Sequence, residues 1–354
     1  MPLLTGSFDG AGDGSEGGLK SVQYGGLINE DVMQKIWDIS KIPLPLQDMI
    51  STDDAKQEHT EWTVDELQAP NLSNAVADGH QITTEDDSAV GNRVGNHCQN
   101  SIKVVNVSTR ARASDTIGYS DALSYQLIRR QQELRRDVEA ISLSSQASVA
   151  ELTGTGAAVG KAGALGSWIK TATANATGGG FDLATGLTTT PTATKAALTE
   201  DNVRDVCETV YQNGGNPNIF MSGTSVIRRF SEYLFTSSAR VATLMSDQGK
   251  SREAAAALGS VNVFVTDFGV TLELHANRLQ QADASVGDGT AYNGYVIDPE
   301  YLRMAYLTGY HVVPLSKQGL SDRRMMHVDW TLKVLNEKAH GMIAAIDPAV
   351  PMTA

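Results

Sequence analysis

Residues 68–100 limit the fold more than any other part of the chain. They run between two strand-like stretches, 60–67 (TEWTVDEL) and 101–109 (SIKVVNVST). They are mostly polar, hold Gly79, Gly91 and Gly95, and include no Phe, Trp or Tyr. A compact domain rarely carries so long an excursion without structure of its own. Either it is an unstructured loop, or it is a long hairpin that leaves the body and packs on another molecule. In the first flanking strand Trp62 and Val64 share a face. In the second, Ile102, Val104 and Val107 are the expected apolar positions, and Val105 breaks the period of two.

Upstream, residues 6–26 carry eight glycines with Asp9, Asp13 and Glu16, which predicts a flexible arm. Asn29 can cap a short helix with Val32, Met33, Ile36 and Trp37 on one face, and Pro43 and Pro45 stop it. Downstream, residues 120–143 give the strongest helical pattern. Ser120 is a suitable cap, and Leu123, Leu127, Leu134, Val138 and Ile141 form one stripe. The other face sets Arg129, Arg130, Arg135 and Arg136 among Glu133, Asp137 and Glu139. A solvated, internally paired face is favoured there over phosphate binding, with weak nonspecific contact to nucleic acid left open.

Residues 146–197 are rich in Ala, Thr, Gly and Ser, and read as an irregular connection with a short helix near Leu165–Ile169. Thr199 then caps a helix ended by Asn213-Gly214, followed by a strand at Asn218–Ser222 and a helix over Ser225–Leu234. Val261, Val263 and Val265 alternate, as do Val270, Leu272 and Leu274 across a Thr266–Gly269 turn, which predicts a hairpin. Tyr295–Asp298 reads as a short strand. Met326, Val328, Trp330, Leu332 and Val334 make the clearest half-buried strand.

Charge and motifs narrow the function. With 41 acidic against 28 basic side chains the net charge is −13, which argues against a dedicated nucleic-acid reader. No apolar run is long enough for a membrane span, and the first residues have no secretory pattern. Cys98 and Cys207 fit neither a disulfide framework nor a metal motif, and suit a reducing compartment. Gly12–Gly17 spells GxGxxG but follows no strand. Gly160-Lys161-Ala162 lacks the hydroxyl of a phosphate loop. No histidine pair has zinc spacing, and no Ser/His/Asp set converges. The expectation is a protein with no catalytic, cofactor or metal residues.

Four blocks carry a resemblance. They are Ile42-Pro43-Leu44-Pro45; Glu61–Leu67 followed by Asn74-Ala75 and Gly79; Val265–Gly269 with Asn277-Arg278; and Pro314-Leu315, Gly319 and Asp322 closing in Trp330–Gly341. In this order and spacing the chain resembles the major capsid proteins of tailed bacteriophages, the Hong Kong phage fold shared with encapsulin shells. The resemblance implies an α+β protein with an N-terminal arm (1–58) and an extended β-hairpin loop (59–112). A peripheral domain would follow (113–198, with a spine helix at 120–143), then an axial domain (199–310), and a return to the peripheral domain (311–354). It implies hexamers and pentamers of one subunit forming a head shell around double-stranded DNA, in a virion assembled in the bacterial cytoplasm. Trp37, Trp62, Asp65, Arg93, Lys103, Arg110 and Arg112 are the expected intersubunit contacts.

Residues 71–102 contain no lysine, so no lysine cross-link is expected from the loop tip. The glycine-rich start is unsuited to a helical scaffolding segment, so a separate scaffolding protein is expected, with a portal and possible decoration proteins as further partners. An encapsulin compartment, or a tail-tube or fibre protein, is the alternative.

Overall fold

The computed structural model describes residues 43–79, 81, 91–114, 121–154, 156–234, 263–283 and 289–353. Residues 1–42 of the arm, Trp37 among them, lie outside them. Pro45 opens a short helix, Pro45–Met49, at a position where a backbone donor is dispensable. Strand β1 (Ser51–Asp54) follows, and then β2 (His59–Val64) pairs antiparallel with β3 (Asn92–His97), Trp62 opposite Val94. The polar excursion therefore supplies the hairpin's second strand itself, whereas residues 101–108, the expected partner, pair with residues 321–328.

Strand β4 (Gln99–Ser108) leads through a short helix, Thr109–Ala113, to the long helix Ala122–Ser142. Asp121, not Ser120, caps the long helix: its carboxylate accepts from the Leu123 and Ser124 amides at 3.2 and 3.3 Å. The irregular connection holds the short helix Leu165–Trp168 and five two- or three-residue strands. These are β5 (Thr173–Ala174), β6 (Ala176–Thr177), β7 (Gly180–Asp182), β8 (Leu187–Thr189) and β9 (Thr192–Ala193). The helix Glu200–Gln212 is capped by Thr199 and ends before Gly214, whose φ of 89° a side chain would resist. Then come β10 (Ile219–Gly223), the helix Thr224–Leu234, β11 (Val263–Val265), β12 (Thr271–Asn277) and β13 (Tyr292–Ile297). Strands β14 (Leu302–Pro314), β15 (Ser321–Val334) and β16 (Gly341–Ile346) complete the chain.

Two sheets organise these elements. One has the order β1-β14-β15-β4, the other β11-β12-β10-β13-β16-β5. Residues 311–354 are thus shared between the sheets, since β15 lies in the first and β16 in the second. Alternation along the strands of the larger sheet feeds two cores. Ile219, Met221, Tyr295, Ile297 and Met342 join Leu134 and Val138 of the long helix and Val328, Trp330 and Leu332 of β15. Phe220, Val296 and Ile343 face the other way, into Val203, Val206, Cys207 and Val210 of helix Glu200–Gln212 and Phe230 of helix Thr224–Leu234. The expected face of β15 is buried throughout, from Met326 to Val334.

Two strand faces depart from expectation. In β4, Val107 is buried as expected, but it is joined under the long helix by Val105, with Ala122 and Leu123, while Ile102 and Val104 are 52% and 43% exposed. The helix settles the choice: Lys103, on the same face as Val105, meets Asp137 on its polar flank at 2.6 Å. In β11, Val263 and Val265 are exposed and Phe264 is buried, edge-on to Phe230 with ring centroids 5.3 Å apart. The larger aromatic surface takes the inner side.

Glu139 is a third departure. Read from the sequence as part of the polar helix face, it is fully buried. Its carboxylate accepts from the Leu46 and Gln47 amides at 2.8 and 3.1 Å and from Asn277 Nδ2 at 2.9 Å. It thereby joins the proline segment, the long helix and the end of β12. Both cysteines are free and buried, Cys98 beside Ala55 and Ala305 of the smaller sheet and Cys207 in the helix-lined core. Burial pushes their thiols up to about 11 and about 12.

Candidate assembly surfaces

The hairpin is fixed at its base by one buried amide. Asn96 Nδ2 donates to the carbonyls of Gly163 and Leu332 at 3.0 and 2.8 Å, and its Oδ1 accepts from the Gly163 and His97 amides at 2.8 and 3.0 Å. Every hydrogen-bonding position of the side chain is used, so the base is tied to both the connection and β15. Trp62 packs inward on Trp168 at 5.4 Å between centroids, and Trp168 stacks on Phe181 at 5.4 Å. Trp168 and Phe181 border a cleft of about 340 Å³ whose rim carries Glu66 and Lys338, ion-paired at 2.6 Å. Beyond this rim the chain offers its apolar side chains to solvent. Leu67 and Leu72 are each 99% exposed, and Val76 is 69% exposed.

The residues expected to meet neighbouring subunits fall in three places. Trp62 and Arg93 stand on facing strands of the hairpin, with Asp65 just past its end. Arg93 pairs with Glu61 at 2.6 Å, and exposed Asp65 accepts from the Glu66 amide at 2.9 Å. Lys103 is on β4, in the ion pair with Asp137. Arg110 and Arg112 share the short helix after β4. Arg112 reaches Asp322 at 2.6 Å and Asp121 at 3.6 Å, whereas Arg110 is exposed and has no side-chain partner among the described residues. Trp37 lies outside the described residues.

Three of the four arginines of the long helix are occupied at home, and the Arg136 Nε is buried without a partner among the described residues. Arg129 donates to the Tyr125 hydroxyl at 3.2 Å, Arg130 pairs with Glu133, and Arg135 lies 5.4 Å over the Tyr310 ring. Burial raises the Glu139 carboxyl above its usual range, and its three hydrogen bonds oppose that rise.

Two features escape the sequence because only strand register creates them. His59 and His97 are cross-strand partners with rings stacked at 4.4 Å, and His311 and His327 are partners at 4.8 Å. His97 and His327 are held below the usual histidine range, first by burial and then by the neighbouring ring. Among the described residues no group of three or more His, Cys, Asp or Glu side chains converges as a metal site. No described helix is long and apolar enough to cross a membrane.

Comparison with known proteins gives the context of these surfaces. The capsid of a native GTA particle has the same fold, with a TM-score of 0.58 at 11% identity, covering 94% of this chain and 100% of that one. A structure from Mycobacterium phage Ogopogo gives 0.54 at 11% identity, covering 92% and 98%. The holo-SrpI encapsulin complex from Synechococcus elongatus gives 0.51 at 12% identity, covering 94% and 98%. No curated protein matches the chain. The family model described as SU10 major capsid protein matches residues 15–347. The fold is the α+β fold of phage capsids, and the chain belongs to the SU10 major capsid protein family.

Proposed function

We propose that copies of this capsid subunit form hexamers and pentamers that close into the head shell of a tailed bacteriophage around double-stranded DNA. Assembly takes place in the host cytoplasm, with a separate scaffolding protein, a portal and optional decoration proteins as partners. The subunit acts structurally and performs no reaction of its own. In this reading the hairpin is the main donated contact. The observation that carries it is the full exposure of Leu67 and Leu72 beyond a base rigidly tied to the body. Each such side chain gains about 1.5–3 kcal/mol when a neighbour covers it, and nothing while it stands in water. The −13 charge supports a container that encloses DNA with only weak, nonspecific contact, since tight binding needs unpaired cations.

Deleting residues 68–90 tests this reading. The deletion leaves Asn96 and both hairpin strands in place, so a soluble, cooperatively melting subunit is expected. Negative-stain images should then show no shells. Shells of normal size from this variant would overturn the reading.

A further inference from the structure

The two cross-strand histidine pairs differ in geometry. An imidazole binds a metal through a ring-nitrogen lone pair, which points outward in the plane of the ring. The His59 and His97 planes are only 19° apart and stacked, so one ion cannot lie in both. The planes of His311 on β14 and His327 on β15 are 87° apart, so they cross, and an ion on the crossing line lies in both. A metal–nitrogen bond of about 2.0–2.1 Å plus about 1.1 Å from nitrogen to ring centre puts each centroid about 3.2 Å from a shared ion. For ligand angles between about 90° and about 109° the centroids then stand about 4.5–5.2 Å apart, a window that contains the 4.8 Å of this pair.

An irregularity in β14 makes the pair. Thr308 stands opposite Asp329 and His311 opposite His327, so β14 spends one more residue than β15 over this stretch. In an unbroken ladder Tyr310 would face His327. The extra residue is a bulge, which re-aims side chains at the expense of ladder hydrogen bonds. The same stretch places the Gly309 carbonyl 3.0 Å from His311 Nδ1. A carbonyl only accepts, so Nδ1–H donates to it and the lone pair is on Nε2. Metal-ligating histidines are commonly held in this way through their second nitrogen. His327 is kept below the usual histidine range, first by burial and then by the His311 ring, which favours the neutral form that binds metal. Asp329, two residues from His327 on the same face of β15, places negative charge beside an incoming cation. Both rings are half-buried and thus within reach of an ion from solvent.

We propose that His311 and His327 form a site for a divalent transition-metal ion of the Zn²⁺, Cu²⁺ and Ni²⁺ class, bridging β14 and β15 with water in the remaining positions. Imidazole nitrogen suits these ions. Among the described residues no third His, Cys, Asp or Glu completes the set, so the ion is exchangeable, unlike one locked in a closed four-ligand site. It clamps the two strands at the bulge, where the ladder itself is interrupted.

The test uses the full-length subunit at about pH 7.5, where both imidazoles are neutral. Added in equal amount, Cu²⁺ should give an electron spin echo spectrum with the combination lines of two imidazoles on one ion. His311→Asn and His327→Asn should each reduce this to a single imidazole. Zinc chloride followed by calorimetry should bind at one ion per subunit. Either substitution should weaken that binding by more than the roughly 10–100-fold that loss of an outer-sphere partner costs. His275→Asn, outside the pair, should change neither reading. A wild-type spectrum with one imidazole or none would overturn the proposal. So would two-imidazole lines, or undiminished zinc affinity, in the variant carrying both substitutions. Should an Asn variant unfold in EDTA at lower urea than the wild type, His311→Gln and His327→Gln repeat the comparison, and the wild-type spectrum needs no variant at all.

Discussion

Glu139 accepts three hydrogen bonds from two other parts of the chain, and no partner lies near it in sequence: the Leu46 amide is 93 residues away. Removing it strands two backbone donors and an amide in the interior. Glu139→Ala should therefore cost about 3–5 kcal/mol in urea unfolding, and Glu139→Gln clearly less because an acceptor remains. The helical period marks which residues share a stripe. It does not reveal that a glutamate beside that stripe meets backbone donors, so this role was invisible from sequence. His340 gives a second expectation. It is fully buried, and burial lowers its pKa to about 4 from 6.5. Between those values the unfolded chain binds a proton that the folded one refuses, so stability is complete above 6.5 and falls as pH drops toward 4. The slope is about 1.4 kcal/mol per pH unit, and His97 and His327 act in the same direction. Urea midpoints at pH 6.5 and pH 5 should differ by less in His340→Gln than in the wild type.

At the level of elements, the long helix and β15 were legible because each presents one uninterrupted apolar face. Strands β4 and β11 were not, because both of their faces carry apolar residues. There the buried face was decided by Asp137 above Lys103 and by Phe230 against Phe264, and neither partner is adjacent in sequence. The hairpin was legible as an excursion, but Asn96, which ties its base down, looked like any polar loop residue. The junction of β16 with the helix Glu200–Gln212 depends on a missing side chain. A Cβ on Gly341 would sit 2.2 Å from Val206 Cγ1. Gly341→Ala should cost about 1–3 kcal/mol from overpacking, and Val206→Ala in the same chain should recover part of it, as a double-mutant cycle would measure.

For the whole molecule, the order of sequence blocks pointed to the capsid fold, while the make-up of the larger sheet stayed hidden. Its strands β5 and β16 come from far apart in the chain, and only tertiary pairing unites them. Net charge governs how molecules meet. Copies at −13 repel over distances that salt shortens, from a Debye length of about 30 Å at 0.01 M to about 8 Å at 0.15 M. Contact pairs a few ångströms apart are screened less. Light scattering should therefore show faster assembly at 0.15 M than at 0.01 M salt, and a steady decline with added salt would contradict this. The buried cysteines make the molecule its own reporter. Each sulfur sits in a different half and, with its thiol held in the unreactive form, stays silent to alkylating reagents until that half opens. The two labelling rates are then separate clocks for the loosening of each sheet, readable by mass without adding a probe, in free subunits and in finished particles alike.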